Sequence, residues 1–191
     1  MAHRVPCRVL LVDDEPGIRN LLSSQLEDAG FEAEQAEDGL AGLAKLRERL
    51  PHVIISDIEM PRMSGSEFIS VVRRRFPQIP VIVHSGVPPA DLPEVRPDVW
   101  LQKGTTQLSE LLEAVHDWTR KTPEPPTAPQ SVSTPLRTRR DGAGYFVLTC
   151  TDCLRTFTLR GGLKTKKVKR TAYCVYCQAQ LQYLIESSEP S

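Results

Sequence analysis

Five short segments of strand character return along the first two thirds of the chain, each followed by a longer stretch. They are "CRVLLV" (7–12), "FEAEQA" (31–36), "HVIIS" (52–56), "PVIVHS" (80–85) and "VWLQK" (99–103). Between them "PGIRNLLSSQLEDAG", "GLAGLAKLRERL" and "GSEFISVVRRRF" place apolar residues at helical spacing, with proline or glycine near most ends. "TQLSELLEAVHDWTRK" (106–121) closes the series as a last helix. The first, third and fourth runs are nearly all apolar, which fits strands covered on both faces of a parallel sheet. The expected fold is α/β, a doubly wound five-stranded parallel sheet over residues 5–121. In such sheets the ligand site lies at the carboxyl ends of the strands.

After Lys121 the composition changes. "TPEPPTAPQSVSTPLRTRRDGAG" (122–144) carries five prolines and almost no large apolar side chain, so it reads as an extended spacer. Residues 145–187 then form a small cysteine-bearing module whose "YFVLT", "RTFTLR" and "AQLQYLIE" alternate as strands do. Residues 1–121 hold 14 basic and 19 acidic side chains, whereas residues 145–191 hold 7 basic and 3 acidic. Opposite-signed halves point to two modules with different partners, or with some attraction for each other. No export signal opens the chain and no run is apolar enough to span a bilayer, so a soluble cytoplasmic protein without membrane contact is expected. Five cysteines in that setting argue for metal ligation rather than disulfides.

Asp13 and Asp14 follow the first strand and Asp57 ends the third; in a doubly wound sheet these strands are neighbours. Three converging carboxylates repel one another unless a cation sits among them, and hard oxygen donors suit Mg²⁺. Ser85 ends the fourth strand with a hydroxyl for a phosphoryl oxygen, Lys103 ends the fifth with a point cation, and Gly86 leaves room for close backbone approach. Taken singly, each residue is ordinary: a helix cap, a turn aspartate, a solvated lysine. Together they suit phosphoryl transfer.

These residues lie in "LLVDDEP", "SDIEMPRMSG", "PVIVHSG" and "WLQKG", in that order. Residues 7–120 thereby resemble the receiver domain of bacterial two-component response regulators. The resemblance implies a flavodoxin-like domain in which Asp57 accepts a phosphoryl group from a sensor histidine kinase. It implies that Asp14, Asp57 and the main-chain carbonyl of Glu59 hold Mg²⁺, with Asp13 acting through water. It further implies that Ser85 and Trp100 move together on phosphorylation. Two departures stand out. Gly104 follows Lys103 where most receivers have a cis proline, so a trans peptide is expected. Pro88, Pro89, Pro93 and Pro97 crowd the segment before Trp100, so the helix usual there should be short or absent.

"CTDC" (150–153) and "CVYC" (174–177) are two C-x-x-C pairs separated by twenty residues. Cys150, Cys153, Cys174 and Cys177 can supply a tetrahedral thiolate site for structural Zn²⁺. The module is similar to a zinc ribbon, although Leu154 and Gln178 replace the usual glycine after each pair. Cys7 reads as a packing residue. Between the pairs lie Arg160, Lys164, Lys166, Lys167, Lys169 and Arg170, with Tyr173 and Tyr176 available for stacking. This surface suits nucleic acid or an acidic protein partner, the receiver itself included. The expected function is a phosphorelay switch, not an enzyme, whose zinc module delivers the output. The alternatives are a phosphoryl-transfer hydrolase on a related fold, and a phosphate sink or adaptor docked through its zinc module. Oligomeric state is left open.

Overall fold

The computed structural model describes residues 6–88, 96–121, 136–138, 145–160 and 168–185. Five parallel strands, β1 (Arg8–Val12), β2 (Glu32–Ala36), β3 (Val53–Ser56), β4 (Val81–Ser85) and β5 (Val99–Gln102), form one sheet in the order β2-β1-β3-β4-β5. Helices α1 (Pro16–Asp28), α2 (Gly39–Glu48), α3 (Gly65–Arg75) and α4 (Leu108–Lys121) cover its two faces. The order reverses beside β1, so the β1 and β3 ends define the crevice where such sheets bind ligands.

Alternation along the strands sorts the core into two layers. Leu10, Val12, Ile54, Val81 and Val83 face one way and join the apolar side of α2 and α3. Val9, Leu11, Val53, Ile55 and Ile82 face the other and pack with Leu22, Leu26, Leu111 and Val115 of α1 and α4. Cys7 packs at the margin of that second layer, consistent with a packing residue.

Local chemistry sets the helix limits. Pro16 opens α1, where the missing N–H costs nothing. At its far end Gly30 adopts φ +87°, and the N–H groups of Gly30 and Phe31 return to the carbonyls of Glu27 and Leu26. Asp38 caps α2 by accepting from the Ala41 N–H at 2.8 Å. Ser64 and Glu67 form a capping box that starts α3 directly after the acidic loop.

Residues 89–95, with Pro89 and Pro93, lie outside the described residues, and with them the expectation of a short or absent helix between β4 and β5. No described peptide bond is cis, so Lys103–Gly104 is trans, with Gly104 at φ +84°.

The second module contains β7 (Tyr145–Thr149) paired antiparallel with β8 (Thr156–Arg160). A second small sheet has the order β6-β10-β9, from β6 (Leu136–Thr138), β9 (Val168–Tyr173) and β10 (Gln180–Ile185). Two features depart from the sequence reading. Leu136–Thr138, inside the span read as spacer, pairs parallel with Tyr183–Ile185. The basic stretch before Cys174 continues as β9, with Arg170 opposite Tyr183. Three residues flanked by Pro, Arg and Thr carry too short a pattern to announce a strand, and only the partner fixes it.

Candidate functional site

Register brings the carboxylates together. Val12 pairs with Ser56, so the next residues, Asp13 and Asp57, emerge side by side at the carboxyl edge. The Asp57 N–H donates to the Val12 carbonyl at 2.8 Å, and the Asp13 N–H to the Ala36 carbonyl at 3.1 Å. Both side chains are buried, while Asp14 is half-buried. Carboxylate oxygens of Asp13, Asp14 and Asp57 lie within 4.8 Å of one another.

Lys103 enters this group from the end of β5. Its Nζ lies 2.6 Å from Asp57 Oδ2, 3.0 Å from Asp13 Oδ2 and 3.0 Å from Glu15 Oε1. Burial alone would lower the lysine's pKa, but hydrogen bonds to Asp57, Asp13 and Glu15 outweigh it and hold the ammonium charged. Burial pushes the Asp13 carboxyl up, against the pull of Lys103 and of the Glu15 N–H, which donates to Asp13 Oδ1 at 2.9 Å. Asp57 Oδ1 accepts from the Ile58 N–H, and from the Glu59 N–H at 3.4 Å. The Asp57 carboxylate is thus held at both oxygens.

The loop from Ile58 to Ser64 is apolar where it touches the core, with Met60 and Met63 buried. It closes tightly: the Gly65 N–H donates to the Ile58 carbonyl at 2.8 Å. A Cβ on Gly65 would stand 1.8 Å from the Asp57 carbonyl oxygen, so only glycine fits. Asp14, Glu59, Met60, Pro61 and Ser64 line an open groove beside the carboxylates.

Ser85 is fully buried; its carbonyl accepts from the Lys103 N–H at 2.9 Å and its hydroxyl accepts from the Val87 N–H at 3.3 Å. Gly86 is exposed beside it. Trp100 is half-buried against the α2–α3 layer, its indole N–H without a partner among the described residues. Glu15 and Arg19 were not singled out in the sequence. Glu15 binds Lys103, and Arg19 donates to the Asp13 carbonyl at 2.6 Å. Glu15 stands in "DDEP", where a further acid is indistinguishable from a helix-end charge, and Arg19 reaches the site by one helical turn.

The four cysteines of the second module also converge. Cys150 Sγ lies 3.5 Å from Cys177 Sγ, Cys153 Sγ lies 3.7 Å from Cys174 Sγ, and none of the thiols is bridged. A tetrahedron with zinc–sulfur bonds of about 2.3 Å has edges of about 3.8 Å, so these spacings fit a four-thiolate metal site. Each pair sits in the same turn. The Cys150 N–H donates to the Arg155 carbonyl and the Cys174 N–H to the Ala179 carbonyl, both at 2.9 Å. Leu154 and Gln178 occupy the glycine place of each turn at φ +54° and +62°. The Cys174 thiol is lowered to about 7; burial opposes this, but N–H groups of Cys177 and Tyr176 stabilise the thiolate. Arg160 is exposed at the end of β8, and Arg170 is exposed within β9. Lys164, Lys166 and Lys167 lie outside the described residues, as does the side chain of Lys169.

The sheet order and the acid–lysine cluster at its carboxyl edge define a flavodoxin-like α/β domain with an acidic site at the switch point. The chain belongs to the response regulator receiver family. Residues 9–92 match the family's receiver domain. The chemotaxis response regulator CheY4 of Vibrio cholerae shares 35% identity and a TM-score of 0.55, over 60% of this chain and 99% of that one. TrrA of Thermotoga maritima, solved in complex with Mg²⁺ and BeF, gives 33% identity and a TM-score of 0.55, over 59% and 98%. The nitrogen assimilation regulatory protein NtrX of Azorhizobium caulinodans is 39% identical over 88 residues, which is 45% of this chain and 18% of that protein. The chain thus matches only about a fifth of the length of such curated relatives. Response regulators receive phosphate from histidine kinases, and receiver domains are typically signalling domains, but the protein-glutamate methylesterase/protein-glutamine glutaminase 1 of Anaeromyxobacter dehalogenans is also 45% identical over 80 residues. No described helix is long and apolar enough to cross a membrane.

Proposed function

We propose that the chain is a phosphorelay switch in which Asp57 is the phosphoacceptor. The observation that carries this reading is Lys103 Nζ bridging Asp57 and Asp13 at the carboxyl edge of a receiver-family sheet. As the phosphorus–nitrogen bond of a donor phosphohistidine breaks, an Asp57 carboxylate oxygen forms the new bond to phosphorus and the imidazole leaves with the kinase. Asp13, Asp14, Asp57 and the Glu59 carbonyl would hold Mg²⁺, which supplies charge neutralisation for the phosphoryl oxygens. Lys103 orients the acceptor and shares that charge, and the Ser85 hydroxyl and Gly86 backbone receive a phosphoryl oxygen. Ser85 and Trp100 carry the change of state.

The receiver (5–121) is joined through 122–144, which also contributes β6 to the second sheet, to a module (145–187) whose four cysteines hold Zn²⁺ and which delivers the output. Tyr173, Val175 and Tyr176 are exposed around the second cysteine pair, with Arg155 over the Tyr176 ring. An apolar–basic surface of this kind suits a nucleic-acid or protein partner, and the switch reading is preferred to a hydrolase.

Incubation with acetyl phosphate and Mg²⁺ tests the acceptor. Wild type should take up one acid-stable, base-labile phosphoryl group, and neither Asp57→Asn nor Mg²⁺-depleted protein should. Labelling of Asp57→Asn at the wild-type rate would place the acceptor elsewhere.

A further inference from the structure

The first cysteine turn, 150–155, rests against the receiver. Asp152 Oδ1 lies 3.3 Å from Arg75 Nη1, and Arg47 Nη1 donates to the Leu154 carbonyl at 3.3 Å. Burial lowers the pKa of the Arg74 guanidinium here, against the carboxylate of Asp152. Arginines in the last turn of α3 are ordinary complements to a helix dipole. Arg73 behaves so within the receiver, binding Asp98 and the Arg96 carbonyl. Arg74 and Arg75 instead meet the other module. Beneath them Phe146, Leu148 and Leu154 belong to the same continuous apolar cluster as Leu43, Leu46 and Val71 of α2 and α3.

Asp152 lies between Cys150 and Cys153 and Leu154 directly follows them, so a metal that fixes this turn also fixes the carboxylate and the carbonyl that Arg75 and Arg47 hold. We propose that metal binding and docking are one linked event: the loaded four-cysteine centre is seated on the α2–α3 face by Arg47, Arg74 and Arg75. This rests on the reading of the four cysteines as a metal site. Linkage is reciprocal, so the arginines that favour docking also raise metal affinity. The seat adjoins the acceptor loop. Arg62 and Met63 of that loop line a crevice whose other wall is Val147, Thr149 and Thr156 of β7 and β8. The receiver's contact surface for its own output module is therefore the α2–α3 side.

The test is zinc affinity of the full chain, measured by competition with a chromophoric chelator. Wild type is compared with the triple variant Arg47→Gln/Arg74→Gln/Arg75→Gln. Loss of outer-shell partners lowers metal affinity by roughly 10-fold or more, and that weakening is expected here. The Co²⁺-substituted protein should keep its tetrahedral thiolate spectrum in the variant, showing that the ligands are intact. Zinc should also slow hydrogen exchange across residues 39–75 in wild type and not in the variant. Equal zinc affinities in the two proteins, or exchange indifferent to zinc in wild type, would overturn the linkage while leaving the metal site standing. A wild-type chain that takes up neither zinc nor cobalt would overturn both readings.

Discussion

Gly65 is the single residue on which the acidic loop turns. Its absent Cβ is the space filled by the Asp57 carbonyl, so Gly65→Ala must push β3 and α3 apart beside Asp57. Backbone displacement in a packed site costs about 1–3 kcal/mol, and the nearness of the contact places this change at the upper end. Denaturant unfolding should show that loss, with acetyl phosphate labelling slowed as well. Unchanged stability would mean that the loop has room that its geometry denies. His84, next to Ser85, gives a pH effect of definite sign. Burial and then the Lys103 charge hold its imidazole below the ordinary value, so folding favours the neutral form. Below about pH 6.5 the unfolded chain takes up a proton that the folded chain refuses. Stability should therefore fall as pH drops through that value and level off below the folded pKa. Burial pushes Asp13 the opposite way, so the comparison that isolates His84 is Tm against pH in wild type and His84→Gln. A parallel pair of curves would assign the acid sensitivity to other groups.

At the scale of elements, the sheet strands and four helices were legible because of apolar runs, helical spacing, and proline or glycine at the ends, such as Pro16 and Gly30. The register that sets Asp13 beside Asp57 follows from that pattern, and so the acidic cluster could be anticipated. What escaped depends on partners far along the chain. β6 exists only against β10, and β9 hides in a run of basic residues whose alternation is masked by charge. The cysteine turns show the same limit. Leu154 and Gln178 looked like departures from a glycine pattern, yet both adopt the left-handed backbone that glycine would. Holding a side chain there costs about 1–2 kcal/mol, partly returned because glycine loses more freedom on folding. Gln178 is exposed, so Gln178→Gly should stabilise the metal-loaded module by about 0.5–1 kcal/mol, read by chemical denaturation. Leu154 is buried, and there the sign reverses: Leu154→Gly should destabilise by about 2 kcal/mol or more through lost packing. Equal effects at both turns would contradict this division between strain and burial.

For the molecule as a whole, the two modules answer to different stabilising terms. The receiver has two apolar layers around a five-stranded sheet, whereas the second module has two small sheets and, among the described residues, few buried aliphatic side chains of its own. A domain of that size needs a staple, and its four thiols are the candidate. All four described helices lie between Pro16 and Lys121, so among the described residues helical signal reports the receiver. Removing metal with a chelator should leave the helical far-UV signal essentially unchanged. It should open residues 145–185 to rapid proteolysis and leave a resistant fragment that ends near Lys121. Because Phe146, Leu148 and Leu154 cover part of α2 and α3, that fragment should melt below the intact, metal-loaded chain. Readdition of Zn²⁺ before proteolysis should restore both protection and Tm. If chelated protein resists cleavage across 145–185 as well as loaded protein does, the module is folded by its own core and by the receiver's surface, without need of metal.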